Sequence, residues 1–137
     1  MKTQRVNAFL TFNGKAEEAM KFYEANVPGA KITNLIRYGE GHPMIDIGEE
    51  NIVLFGSLNL HGEEIMFMDM AAKYPAPEFS WATSIFVYCA DEAEFDATFS
   101  ALANGGNVMM GPEPVAHFRK CAWVTDKFGV TWQPVWE

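Results

Sequence analysis

A chain of 137 residues with 49% hydrophobic and 20% charged residues has material for one domain, or one built of two small halves, and is too apolar to be disordered. Its net charge of −8 and pI near 4.8 repel phosphate backbones and anionic lipids, which excludes nucleic acid and membrane surfaces as partners. Two cysteines without a C-x-x-C pair, no signal-peptide core at the start and no apolar run of ~18 residues point to free thiols in a reducing cytoplasm.

In chain order, Arg5 to Phe12 reads as a strand that ends at Asn13-Gly14. A helix follows over "KAEEAMKFYEAN". Ala16, Ala19, Met20, Tyr23 and Val27 recur at helical spacing, Asn13 can serve as N-cap, and Pro28-Gly29 stops it. Lys31 to Tyr38 is a strand, and residues 44–48 are a further short one. Asn51–Leu60 and Glu63–Met70 flank a His61-Gly62 hairpin turn. The proline-bearing "AAKYPAPEF", 71–79, is a linker. The pattern then restarts. "SWATSIFVYC" is a strand and "DEAEFDATFSALAN" a helix, begun by a capping-box-like Asp91 and Glu94 and ended by Gly105-Gly106. "NVMM" is a short strand, and "HFRKCAWVT" and "VTWQPVW" pair around the Asp126–Gly129 corner.

A shift of 77 residues sets Phe9 on Phe86, Leu10 on Val87, Phe22 on Phe99 and Gly29 on Gly106. The repeated order of elements carries more weight than these few matches. It implies two fused β-α-β-β-β modules, about 5–70 and 80–136, joined by the linker into one domain of class α+β. The expected form is a curved mixed sheet around a cleft, with the helices outside.

"FLTFNGKAEEAMKFYEANVPGAKI", "LNLHGEEIMFMD", "FSWATSIFVYCAD" and "WVTDKFGVTWQ" occur in the order of the PhnB-like branch of the vicinal oxygen chelate superfamily, the glyoxalase and bleomycin-resistance fold. The chain resembles this branch over roughly Val6 to Trp136, and the branch often carries the label 3-demethylubiquinone-9 3-methyltransferase domain. The resemblance implies a glyoxalase-like fold and a homodimer. In metal-dependent members, His, Glu or Gln ligands come from the first and last strands of each half. Here Ala8 aligns with one such position, the first strand of the second half offers only Thr83 and Ser84, the last strand of the first half centres on Ile65-Met66-Phe67-Met68 with Glu63 and Glu64 at one end and Asp69 at the other, and Gln133 stands where metal enzymes usually place Glu. A lone amide with hydroxyls and thioethers does not make a divalent-metal site, so neither metal nor cofactor is expected.

The remaining candidates are polar or aromatic groups on cleft strands. Asp69 ends an apolar strand; it is either satisfied by nearby amides or serves as a polar anchor or general base. His117, in a loop entering a strand, is the best-placed imidazole for acid or base work. If Gln133 faces the cleft then Thr131 does too, and Trp132 packs under a helix. Met66, Met68 and Met70 alternate on one face, as core or as an adaptable pocket wall. The candidate ligand-binding set is therefore Phe9, Thr11, Met66, Met68, Trp81, Thr83, Thr131 and Gln133. Cys89 and Cys121 read as buried core thiols. The function these features favour is metal-independent binding of a small organic molecule. The alternative is an isomerase, lyase or transferase using cleft side chains. Methyl transfer ranks below both, because no G-x-G opens a strand-to-helix junction.

Overall fold

The computed structural model describes residues 3–137. Strand β1 (Phe9–Phe12), helix α1 (Ala16–Asn26) and strands β2 (Ala30–Arg37), β3 (Val53–Leu60) and β4 (Glu63–Asp69) build a four-stranded sheet in the order β1-β4-β3-β2. Strand β5 (Ile85–Tyr88), helix α2 (Glu92–Ala103) and strands β6 (Asn107–Val115), β7 (Phe118–Thr125) and β8 (Thr131–Trp136) build a second, in the order β5-β8-β7-β6. Each sheet has one parallel pair, β1 with β4 and β5 with β8, and is otherwise antiparallel. The class is α+β, with the β-α-β-β-β order used twice. Two compact units result. One comprises the described residues up to Ala25 with Gly29–Pro77, and the other Glu78–Glu137 with Asn26–Pro28.

In the first unit the apolar spacing does what it predicts. Ala16, Ala19, Met20 and Tyr23 are buried along one stripe of α1, and the Tyr23 ring lies 6.2 Å from Phe67 of β4. The start of α1 departs from expectation. Asn13 does not cap it; its side chain instead exchanges hydrogen bonds with the backbone of Ala76. The Gly14 and Ala16 amides donate to Asp69 Oδ1, at 2.8 and 3.0 Å. A carboxylate delivered by the neighbouring strand displaces the local asparagine because a charged acceptor makes the stronger bond to amides at a helix start.

Residues 44–48 are turns, not a strand. Their donors find local acceptors: Met44 N donates to His42 Nδ1, Asp46 N to Glu49 Oε1, and Gly48 N to the Glu50 carboxylate. Ile45 is still buried, in a small cluster with Tyr38 and Ala71.

In the second unit Asp91 caps α2, its carboxylate accepting from Glu94 N at 2.8 Å, while Ala90 N donates back to Glu94 Oε2 at 2.6 Å. Phe95, Thr98 and Leu102 are buried, as are Ala122, Val124 and Trp132 on the sheet. Strand β6 runs to Val115, well past the expected "NVMM", through Pro112 and Pro114. Prolines end central strands, but β6 is an edge with an irregular register, where a missing N–H costs no ladder bond. Two of the other edge strands, β1 and β5, are shorter than their apolar runs suggest.

Candidate functional site

Alternation gives each sheet one face packed on its helix and one turned away from it. In the first sheet Phe67, Ile65 and Asp69 are buried on the α1 side, together with Gly56, where an added Cβ would meet Met20 Sδ at 2.8 Å. Phe9, Thr11, Met66 and Met68 therefore share the opposite face. Phe9 pairs with Met66 and Thr11 with Met68, and the Phe9 ring stands 6.3 Å from Phe55.

In the second sheet the Asp126 corner sets the facing. Asp126 Oδ1 accepts from Phe128 N and Val130 N at 2.8 and 3.1 Å, and its Oδ2 accepts from the Trp132 indole at 2.9 Å. With Trp132 fully buried on the helix side, Thr131 and Gln133 fall on the other. The Gln133 amide donates to Ser84 Oγ at 2.7 Å, and the Thr131 and Thr125 hydroxyls lie 3.1 Å apart. Phe86 pairs with Gln133 in the parallel ladder. On the other side, Cys121↔Val135 and Val124↔Trp132 keep one register, which puts Trp123 across from Gln133. Trp81, 63% exposed, meets Trp123 edge to face at 5.8 Å. The Trp123 Nε1–H is buried and has no hydrogen-bond partner among the described residues.

The eight predicted ligand-binding residues thus divide between the sheets. Thr83 is exposed, while Trp81, Thr131 and Gln133 join one polar and aromatic row with Ser84, Phe86 and Trp123. Sequence reasoning passed over the Ser84 partnership, the role of Asp126 and the orphaned Trp123 donor. Only the strand spacing Ser84–Phe86 hinted at the first.

Asp69 is tied into the fold by main-chain donors. It is 1% exposed, and both oxygens are engaged by main-chain donors: Gly14 and Ala16 on Oδ1 and Val53 N on Oδ2 at 2.8 Å. His117 sits in the exposed turn between β6 and β7, its ring tilted by 36° against Phe118 at 4.2 Å and its Nε2 3.2 Å from Glu137 Oε1.

The donor chemistry does not fit a divalent ion. Phe9↔Met66 and Phe86↔Gln133 are equivalent pairs of the repeat, so a thioether occupies in the first half the place Gln133 has in the second. Ala8 gives only its carbonyl, to Met66 N. Among the described residues no three His, Cys, Asp or Glu side chains cluster as a metal site would require. The thiols do not supply a nucleophile. Burial pushes Cys89 from an ordinary 9.0 up to about 11, and burial with nearby Glu113 raises Cys121. Lys120, beside Cys121 in sequence, turns to α2 and pairs with Glu92 and Asp96.

This architecture is the glyoxalase-like fold: a glyoxylase/bleomycin resistance protein/dioxygenase domain from Frankia sp. superposes with a TM-score of 0.65 at 14% identity, over 99% of this chain and 98% of that one. The sequence profile of the 3-demethylubiquinone-9 3-methyltransferase family matches residues 4–135, and the chain belongs to this PhnB-like family of the vicinal oxygen chelate superfamily. A PhnB protein from Bacillus cereus, described as a 3-demethylubiquinone-9 3-methyltransferase, is 34% identical over 98% of this chain and 100% of its own, with a TM-score of 0.80. A protein from Pseudomonas aeruginosa is 26% identical over 98% of both chains, with a TM-score of 0.85. None of the curated proteins matches the chain.

Proposed function

We propose that the chain binds a small, largely apolar organic molecule on the face of its second sheet turned away from α2, without a metal ion, and does so as a homodimer. The observation that carries this reading is the Gln133–Ser84 hydrogen bond set among Phe86, Trp81 and Trp123. A few fixed polar groups on an aromatic surface are the usual make-up of a small-molecule site. The first sheet offers a comparable but less polar face in Phe9, Thr11, Met66 and Met68.

The family label names a methyl transfer. The strand-to-helix junctions here are Asn13-Gly14-Lys15 and Cys89-Ala90-Asp91, and neither has the glycine spacing that seats a nucleotide-like cofactor. Acid–base catalysis would have to run through His117, because Asp69 is fully engaged. Native mass spectrometry of the untagged protein tests the proposal. The expected spectrum has no stoichiometric divalent ion, and any retained mass is organic. One divalent ion per site, or micromolar binding of S-adenosylmethionine by calorimetry, would replace this reading with an enzymatic one.

A further inference from the structure

We propose that the Trp123 indole N–H is the donor that selects the ligand of the second sheet, and that Trp81 is the cover the ligand displaces. The occupant this specifies is a planar, mostly apolar molecule carrying a carbonyl-type oxygen. The inference rests on the binding face proposed above and adds the chemistry of its ligand.

Three observations converge. A buried indole N–H without an acceptor is costly, and folded chains leave few such groups, so its retention calls for an explanation. The orphan is not scattered in the core. Its strand position lies across from Gln133, whose amide donates one N–H to Ser84 Oγ and has a second N–H to direct at the same acceptor. Finally, what stands against Trp123 is Trp81, 63% exposed, in the stretch before β5 that has no helix or strand, and engaged through an edge-to-face contact at 5.8 Å. Such a contact is weak enough for a ligand ring to replace. Binding then exchanges one aromatic neighbour for another and gives the indole its missing acceptor.

The test uses the whole 15N-labelled chain, whose four tryptophans give four indole N–H signals. Trp123→Phe and Trp81→Phe assign two of them. Acetophenone and ethylbenzene are the probes, matched in skeleton and differing in the carbonyl oxygen. Acetophenone is expected to move the Trp123 signal downfield in a saturable way and to bind about tenfold tighter than ethylbenzene, the worth of one good hydrogen bond. Trp123→Phe should erase that preference, and Trp81→Ala should strengthen acetophenone binding. If both probes perturb the second sheet equally and leave the Trp123 signal in place, the donor role is lost and the binding face survives. If neither probe perturbs any signal of that sheet, both readings fall. Should Trp123→Phe not fold, the affinity ratio of the two probes on the unaltered chain decides.

Discussion

At Asp69 a strand-end carboxylate is taken up by main-chain donors. An acid at the end of "IMFMDM" invites a raised pKa and a proton-transfer role, yet three backbone amides converge on it and join α1, β3 and β4. Asp69→Asn keeps the shape but turns an amide N–H toward a donor. It should cost about 2–3 kcal/mol in urea unfolding, and unchanged stability would remove the scaffold role. Cys89 gives a prediction of the opposite kind. Its folded value of about 11 lies above the ordinary 9.0, so the native state holds the proton more tightly. The thiol's contribution to stability is intact below pH 9.0 and is lost as pH rises toward about 11. Iodoacetamide should accordingly label the native chain slowly at pH 8 and the urea-unfolded chain quickly; equal rates would contradict the burial.

Helix α2 is the element whose termini are most sharply defined by sequence. Asp91 and Glu94 satisfy amides reciprocally at its start, and Asp91→Ala should cost about 1 kcal/mol. Its exit is stricter. A Cβ at Gly106 would come within 2.4 Å of the Thr125 carbonyl and 2.8 Å of the Leu102 carbonyl. Both are backbone atoms, so Gly106→Ala must move β7 or the helix end, and it should lower the thermal midpoint far more than Asp91→Ala does. The reverse ranking would mean that the α2–β6 connection yields easily. Helix α1 is tied differently. Glu17 bonds Lys21 on the helix and Arg37 on β2, and the bond from Lys21, ahead of the opposing effect of burial and the added pull of Arg37, holds its carboxyl below the usual range. That contribution is present above about pH 4.5 and fades as pH falls below it. The groups are half in water, so Glu17→Gln should cost no more than about 1 kcal/mol.

At the scale of the molecule, charge and apolar surface pull in opposite directions. Phe9, Ile36, Trp81, Phe86 and Tyr88 are all exposed by more than 40%, an unusual load for a chain that stands alone. Covering such surface favours the proposed homodimer, while two chains of charge −8 repel one another. Sedimentation velocity should therefore show twice the 15.4 kDa chain mass, with association tightening as added salt screens the repulsion. A monomer at all salt concentrations would leave those aromatics to ligand contacts alone. No helix among the described residues is long and apolar enough to cross a membrane.

The sequence by itself determined the α+β class, the doubled β-α-β-β-β order and the family, because periodicity, glycine turns and caps are local properties that neighbouring residues fix between them. Only the tertiary structure decided which side chains share a face and which acceptors they find. Asn13 reads as a cap until Asp69 arrives from a strand 53 positions beyond Ala16, and "NVMM" reads as a short strand until β6 proves to be an edge that runs on to Val115. Ser84 meets Gln133 across 49 positions, and Trp123 is left without an acceptor through the same long-range register. Strand pairing sets these relations, and a slip of one residue would reverse every one of them.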